Sequence, residues 1–270
     1  MADEPYFMML LDHPGFVRYY TFWLERNEGF HLVKFPKFEY LDWREDIRIT
    51  IDYYEYIYIQ MELCKCSLSK WLEDNSMESS RDLHRMKSWF KQIVSAVAFM
   101  HNMNFIHRDL KPGNILISRT DRLKLTDFGT ATYRAADEAA LESAEDVSSW
   151  LKIMQNGNVE TEKSRSYRFG TELYMSPEQL AIASRYSSKT DVFSIGLILV
   201  ELCAVMDSTQ RFEVFNNYRS GRQCNILKDA ETSRFVEMLT QLDPKKRPSC
   251  KEMLEHPFLA ECPMYISPPE

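Results

Sequence analysis

The stretch FIHRDLKPGNILI, residues 105–117, constrains the fold and chemistry of this chain more than any other part of its sequence. Between two apolar runs it sets Asp109, Lys111 and Asn114 at short, fixed spacings. An aspartate can accept a hydroxyl proton, a lysine can neutralise charge on a transferring phosphate, and an amide oxygen can bind a divalent metal. Together these groups suit the movement of a phosphoryl group onto a hydroxyl, and hard oxygen ligands favour Mg²⁺.

A second motif, KLTDFGTA at residues 124–131, follows shortly afterwards. The apolar NILI before it and a turn at residues 119–121 predict a short β-hairpin that delivers Asp127 beside Asn114. Asp127 would then be the second metal ligand, and Gly129 would let the chain reverse direction.

These motifs resemble those of the eukaryotic protein kinases and occur in the order of that family. The catalytic loop H-R-D-L-K-P-x-N matches residues 107–114, and the metal-binding D-F-G matches residues 127–129. GTELYMSPEQL at residues 170–180 is similar to the end of the activation segment, with Ser176 where alanine is usual. SSKTDVFSIGLILVEL is similar to the central helix, whose Asp191 would hold the catalytic loop.

The resemblance covers nearly the whole chain and implies an α+β, bilobal protein-kinase-like fold. A truncated, β-rich small lobe would occupy residues 1–63, and a complete, mainly helical large lobe would occupy residues 64–260, followed by a tail at 261–270. In LDPKKRPSCKEMLEHPFL, near the end of the large lobe, Arg247 would pair with Glu178.

The resemblance also implies which residues form the active site. Those expected to act in catalysis are Asp109 as the base, Lys111, Asn114, Asp127 and Thr171. Those expected to bind ATP are Met61 at the gatekeeper position, the backbones of Glu62 and Cys64, Leu116 beneath the adenine ring, and Asp127. Asn114 and Asp127 would hold Mg²⁺, so ATP and Mg²⁺ are the expected cofactors.

Two features bear on specificity and regulation. Lys111 and Thr171 resemble the serine/threonine branch of the family. Arg108 suggests regulation, because in such kinases this arginine pairs with a phosphate on the activation segment. The candidate phosphate carriers, each equally well an ordinary loop hydroxyl, are Thr161, Ser164, Ser166 and Tyr167.

Several segments, among them HPGFVRYYTFWLE and YIQMELCKCSLSKWL, together resemble the stress-responsive kinases that phosphorylate the alpha subunit of translation initiation factor two. Members of that subfamily usually carry a long insert between the fourth and fifth strands of the small lobe, and the corresponding stretch is much shorter here. The subfamily resemblance makes that subunit a candidate substrate and a dimer a candidate assembly.

Hydrophobic periodicity supports a β-rich part followed by a helical part. IRITIDYYEYIYIQMEL alternates with the period of a half-buried strand. LHRMKSWFKQIVSAVAFMHNM has the period of an amphipathic helix, as do two later segments, KTDVFSIGLILVELCAVM and TSRFVEMLTQL. Residues 135–163 are strongly acidic, and the simplest interpretation is a solvated surface insert in the activation segment.

Composition excludes some classes of function. The net charge is −7 with a pI near 5.5, so a nucleic-acid partner is not expected. The six cysteines lack the spacing of a disulfide framework and are expected to be reduced thiols. With no signal peptide or membrane span predicted, the expected location is the cytoplasm, with the nucleus left open, and the expected partner is a protein with a serine or threonine acceptor.

The first residues, MADEPYFMMLLDHPGFVRYY, resemble the end of a kinase C helix running into the fourth strand. The C-helix glutamate of the family falls on Glu4, but no G-x-G-x-x-G loop and no V-A-I-K-like strand lysine occur in the chain. The favoured hypothesis is a truncated copy, or an incomplete gene model, of an active kinase. The alternatives are a pseudokinase that serves as a binding or regulatory module, and a fragment without function.

Overall fold

The computed structural model describes residues 8, 10–25, 33–34, 56–77, 81–133, 172–181, 187–222 and 224–262. Several positions named above lie outside these ranges, and their predicted roles stay predictions. They are Glu4, the acidic stretch at 135–163, the four candidate phosphate carriers and Thr171.

A small antiparallel sheet forms the first part of the described structure. Its strands, in the spatial order β2-β1-β3, are β1 (Tyr19–Glu25), β2 (Val33–Lys34) and β3 (Tyr56–Met61). Phe22 is buried opposite Ile59, whereas on the other face Trp23 stacks on Tyr58 with ring centroids 5.3 Å apart. The predicted alternation therefore forms a strand at its downstream end, and its upstream half lies outside the described residues.

Helices make up most of the rest. They are α1 (Leu68–Asp74), α2 (Leu83–Asn102), α3 (Pro177–Leu180), α4 (Lys189–Cys203), α5 (Ser208–Arg219), α6 (Ala230–Leu239), α7 (Cys250–Glu255) and α8 (Pro257–Ala260). The Asp82 side chain caps α2 by accepting hydrogen bonds from the backbone N–H groups of His84 and Arg85. The apolar stripe predicted for α2 is fully buried, which confirms that helix: Met86, Phe90, Ile93, Val94, Val97 and Met100.

Helix α4 is the centre of the larger part. All its residues from Thr190 to Leu202 are buried, as expected for a helix that is surrounded by other elements on every side. At Gly196 an added Cβ would lie 3.0 Å from the Cβ of Leu239, so α6 approaches α4 closely at this position. The polar side chains of α4 are therefore buried too and need partners from neighbouring segments.

Two further small antiparallel sheets are formed by short strands on either side of α1 and α2 in the chain. One has the order β4-β6-β7, formed by β4 (Cys66–Ser67), β6 (Ile115–Ile117) and β7 (Leu123–Leu125). The other pairs β5 (Phe105–Ile106) with β8 (Thr132–Tyr133). The hairpin predicted from the sequence is β6-β7, in which Ile115 pairs with Leu125.

Backbone hydrogen bonds join the first segment of the chain to this hairpin. The N–H of Val17 donates to the carbonyl of Leu125 at 3.0 Å, and the N–H of Leu125 donates to the carbonyl of Gly15 at 2.8 Å. Phe16 then packs on Phe128, with ring centroids 5.7 Å apart. The residues before β1 therefore support the segment that carries Asp127.

All six cysteines lie within the described residues, and none of them forms a disulfide bond there. Within the ranges that the structure describes, no helix combines the length and the apolar character needed to cross a membrane.

Candidate active site

A single buried carboxylate anchors the loop that carries the candidate catalytic residues. Asp191, in the first turn of α4, accepts hydrogen bonds from the backbone N–H groups of His107 and Arg108, both at 2.9 Å. His101, at the end of α2, lies 2.8 Å from the same carboxylate. The prediction that Asp191 holds the catalytic loop is confirmed.

Arg108 has a left-handed backbone, with φ of 67°, which is uncommon for a residue with a long side chain. Two contacts hold Arg108 there besides Asp191, and a third holds its neighbour His107. The carbonyl of Arg108 accepts a hydrogen bond from the side-chain amide of Gln179 at 2.9 Å, and its Nε donates to the carbonyl of Thr130 at 2.7 Å. The hydroxyl of Thr130 in turn donates to the carbonyl of His107 at 3.0 Å. The loop is thus held in a strained conformation by groups from three segments.

The structure brings Asp109, Lys111 and Asn114 together. Lys111 Nζ lies 2.7 Å from Asp109 Oδ2. The side-chain amide of Asn114 donates to that same oxygen at 3.1 Å and to the backbone carbonyl of Asp109 at 2.9 Å. One carboxylate oxygen of Asp109 is therefore engaged, and its Oδ1 makes no hydrogen bond within the described structure.

The imidazole of His107 is fully buried beneath this loop. One ring nitrogen, Nδ1, accepts from the N–H of Asp109 at 3.4 Å, and the other lies 3.2 Å from the carbonyl of Thr126. A neutral ring protonated at Nε2 satisfies both contacts. Because Phe128 packs on His107, with centroids 5.2 Å apart, the ring also links the catalytic loop to the segment after β7.

Hairpin pairing places Asp127 at the same end of the β6-β7 sheet as Asn114. The N–H of Thr126 donates to the carbonyl of Asn114 at 3.0 Å, one step beyond the last strand pair. Asp127 follows with φ of 65° and an exposed side chain. The left-handed backbone in this motif therefore belongs to Asp127 and not to Gly129, where the sequence had suggested that the reversal would fall.

The residues expected to hold the adenine lie where β3 ends. The N–H of Glu62 donates to the carbonyl of Arg18 at 2.8 Å, so only its carbonyl is left for a ligand. Cys64 makes no backbone hydrogen bond in the described part, and Met61 is half-buried. Leu116, also half-buried, lies in β6 of the next sheet. Burial, with help from the nearby Glu62 carboxylate, raises the pKa of the Cys64 thiol.

The sequence did not indicate that Lys124 contacts the residues at the end of β3. Its Nζ lies 2.8 Å from Glu62 Oε2 and 3.3 Å from the carbonyl of Phe16. Glu62 Oε2 also accepts from the N–H of Arg18 at 3.2 Å. Since Lys124 lies in β7, this pair joins the end of β3 to the strand that leads to Asp127.

A buried ion pair joins α3 to the segment before α7. Arg247 donates to both carboxylate oxygens of Glu178, at 2.6 and 2.9 Å, and both side chains are almost completely buried. The predicted pairing of these residues is confirmed. Gln179, which sequence reasoning missed, accepts from the N–H of Ser176 at 3.0 Å. The spacing of Ser176 and Gln179 is that of a capping box and was the signal available for it.

The comparisons with known proteins agree with this geometry. The model of the protein kinase domain family matches residues 1–259. The eukaryotic translation initiation factor 2-alpha kinase pek-1 of Caenorhabditis elegans is 35% identical over 212 residues, which are 76% of this chain and 18% of that protein.

Two other relatives are similarly close. The interferon-induced, double-stranded RNA-activated protein kinase of Rattus norvegicus is 34% identical over 201 residues, which are 74% of this chain and 34% of that protein. The human eIF-2-alpha kinase GCN2 is 31% identical over 220 residues, 78% of this chain and 13% of that protein. The chain thus spans no more than about a third of the length of these relatives. With the family model matched over nearly its whole length, this chain belongs to the protein kinase family.

Proposed function

We propose that this protein transfers the γ-phosphoryl group of ATP to a serine or threonine hydroxyl of a protein substrate. The observation that carries the proposal is the arrangement of Asp109, whose carboxylate is held by Lys111 and Asn114 on a loop fixed by Asp191. Phosphoryl transfer is catalysed mainly by positioning and electrostatic stabilisation, which such an anchored loop supplies.

The residues present fit Mg²⁺ and a nucleotide. Because the amide nitrogen of Asn114 faces Asp109, its Oδ1 is the atom available as a metal ligand, and the exposed carboxylate of Asp127 supplies a second. The carbonyl of Glu62 and the backbone of Cys64 are the groups available to an adenine. When bound, Mg²⁺ would neutralise charge on the phosphates.

The side chains of this chain would accept the hydroxyl proton, stabilise the developing charge and position the two substrates. Lys111 and Asn114 hold Asp109 Oδ2, so that Oδ1 can accept the proton of the substrate hydroxyl as the oxygen attacks. Lys111 can at the same time reach the charge that develops on the transferring phosphoryl group. Thr171 remains a predicted contributor near the substrate, and Met61 and Leu116 remain predicted walls of the adenine site.

The substrate class and location are inferred from the subfamily. The names of the relatives pek-1 and GCN2 describe kinases of the initiation factor 2 alpha subunit, and we infer that subunit as the substrate of this chain. The proposed location is the cytoplasm, and a dimer remains a prediction. The end of β3 at Met61 supports a boundary between a small lobe at residues 1–63 and a large lobe at 64–260.

The test is phosphate transfer from labelled ATP to the recombinant alpha subunit, with and without Mg²⁺. We expect transfer that depends on Mg²⁺ and falls by at least about 10²-fold in Asp109→Asn, since the amide cannot accept the hydroxyl proton. An Asp74→Asn variant, altered at the exposed ion pair with Lys70, serves as the matched control. Equal transfer by the wild type and Asp109→Asn would refute the proposal.

The second candidate function is a pseudokinase that binds nucleotide without efficient transfer. A glycine-rich loop and a strand lysine position the phosphates in kinases, and neither motif occurs in residues 1–270, so a polypeptide of these residues alone would transfer the phosphoryl group inefficiently. A wild type that is stabilised by Mg²⁺ and ATP but transfers nothing would support this second function.

A further inference from the structure

One buried arginine donates hydrogen bonds to the backbone of the segment Glu172–Met175. Arg219, the last residue of α5, is 5% exposed. Its Nε donates to the carbonyl of Met175 at 3.0 Å, and its Nη2 donates to the carbonyls of Glu172, at 3.2 Å, and Leu173. The guanidinium is therefore shared among three backbone carbonyls of one short segment.

The remaining carbonyl of this segment has a side-chain donor as well. Ser194, in α4, donates its hydroxyl to the carbonyl of Tyr174 at 2.8 Å. Four consecutive carbonyls, from residue 172 to residue 175, thus accept hydrogen bonds from the side chains of two helices. The hydroxyl of Tyr174 also donates to Glu201 in α4. Glu172–Tyr174 form a single 3-10 turn, in which the N–H of Met175 donates to the carbonyl of Glu172. So short a turn leaves most of its carbonyls without a backbone partner, and buried carbonyls need donors because leaving them unpaired is costly.

The last nitrogen of Arg219, Nη1, donates to the side-chain oxygen of Asn216 at 2.8 Å, so carbonyl and amide oxygens accept the hydrogen bonds of the guanidinium. The charge of the Glu172 carboxylate adds a favourable electrostatic interaction. Burial lowers the pKa of Arg219 to about 10, which leaves the side chain charged near neutral pH. Only a guanidinium has the planar fork of donors that can reach these carbonyls together.

A continuous path of contacts links this segment to Asp109. Ser176 follows it directly, the N–H of Ser176 donates to the side chain of Gln179, Gln179 donates to the carbonyl of Arg108, and Arg108 precedes Asp109. The segment also comes directly after Thr171, the residue expected beside the substrate. Its backbone therefore lies where its shape can set the approach of a protein acceptor to the base.

We propose that Arg219 is a positioning residue for the protein substrate: it fixes the backbone of Glu172–Met175 and so sets the affinity for the acceptor protein without contributing to nucleotide binding. The proposal rests on the proposed kinase function for its substrate part. The fixing of the segment itself is independent of that function and can be measured separately.

The variant that tests this is Arg219→Lys, which keeps the positive charge but lacks the several planar N–H donors of the guanidinium. The matched control is Arg234→Lys, whose exposed side chain contacts only a carbonyl of its own helix at 3.2 Å. A second control, Leu259→Ala, removes a fully buried side chain in α8 and lowers stability without contacting the segment. It separates general destabilisation from loss of the arginine contacts.

Two measurements are made on the full chain. Hydrogen–deuterium exchange of the amides at residues 172–176 should be roughly tenfold faster in Arg219→Lys and unchanged in Arg234→Lys, since charged hydrogen bonds are lost only in the former. Kinetics with the recombinant alpha subunit should give a KM for that protein raised roughly tenfold, with the KM for ATP within twofold of the wild type.

The possible outcomes test the fixing of the segment and the substrate role separately. Unchanged exchange at residues 172–176 overturns the inference whether or not the protein transfers phosphate. Faster exchange with an unchanged KM for the protein substrate, or the same KM increase in Leu259→Ala, overturns the positioning role. Faster exchange in Arg219→Lys beside a wild type that transfers nothing refutes the proposed function and the substrate role together, while the fixing of the segment stands.

Discussion

Asp191 is completely buried, yet its carboxylate is the acceptor for two backbone N–H groups and lies against His101. Burial by itself would lower the pKa of His101, but Cys250 and Asp191 outweigh it and raise that pKa to about 10. Burial by itself would raise the pKa of Asp191, but the hydrogen bond and the charge of His101 hold that pKa below its ordinary value. At neutral pH the imidazole is therefore charged, and it compensates the carboxylate that anchors the catalytic loop.

This pair predicts how stability depends on pH. A group whose folded pKa lies above its unfolded value stabilises the protein fully below the unfolded pKa, near 6.5, and the stabilisation is lost as the pH rises toward about 10. We expect the free energy of unfolding to fall between pH 6.5 and 9, with a limiting slope of about 1.4 kcal/mol per pH unit for one proton. Urea denaturation at several pH values measures this slope.

His101→Gln is the variant that isolates the effect, because its amide can still donate to Asp191 but does not titrate. The slope between pH 6.5 and 9 should flatten in that variant. Equal slopes in the two proteins would show that His101 is not the group responsible.

At the scale of elements, the turn before β1 packs closely on helix α2. A Cβ added to Gly15 would lie 2.6 Å from the Cβ of Ala96 and 3.0 Å from Nδ1 of His13. His13 stacks on Phe99 of the same helix, with ring centroids 5.0 Å apart. Since the carbonyl of Gly15 also bonds to Leu125, the position of the turn is fixed from both sides.

Gly15→Ala should therefore destabilise the protein by about 1–3 kcal/mol, because the turn must move away from α2. Thermal and urea denaturation measure the loss. The control is Gly113→Ala, where an added Cβ would meet only the side chain of Lys111, at 3.9 Å. The double variant Gly15→Ala, Ala96→Gly should recover part of the loss, and purely additive effects would contradict the close approach.

At the scale of the whole molecule, the candidate site is assembled from segments far apart in the sequence. Asp191 and Gln179 come from the later helices, the metal-ligand candidates come from the loop and hairpin, and the turn before β1 bonds to β7. Groups from these regions hold the backbone of the loop and of the hairpin that carry the candidate site residues. The site therefore depends on cooperative folding of the described parts.

Binding of a nucleotide should stabilise this assembly by mass action. At a concentration of Mg²⁺-ATP about 100 times its Kd we expect about 2.7 kcal/mol of added stability, seen as a higher Tm in a thermal shift assay. Asp127→Asn should lose the part of the shift that depends on Mg²⁺, because one anionic ligand is removed. Asp74→Asn should keep the full shift, and an equal loss in both variants would contradict the role of Asp127 as a metal ligand.

Much of the fold was predictable because its signals are local. The apolar stripe of α2, the apolar run of α4 and the turn between β6 and β7 each follow from the residues within one element. The roles of Asp191, Glu178 and Arg247 were predicted as well, but only through resemblance to the family. Their partners are distant in the sequence, and the neighbouring residues do not indicate which groups they contact.

What the sequence missed are contacts between elements distant in the chain. Lys124 meets Glu62, Gln179 meets the carbonyl of Arg108, and Arg219 meets the segment after Thr171. Lys124 and Arg219 are ordinary by composition and spacing, and the capping-box spacing of Gln179 does not indicate its contact with Arg108. The role of each side chain depends on which backbone groups the packing leaves without a partner.

The sequence by itself determined the set of chemical groups, Asp109, Lys111, Asn114 and Asp127, and the secondary structure that carries most of them, since spacing and periodicity act over a few residues. Only the tertiary structure decided how those groups are held. The left-handed backbones at Arg108 and Asp127 persist because distant side chains and paired strands restrain them. Restraints of this kind arise from burial and hydrogen bonding between segments, which a linear pattern does not contain.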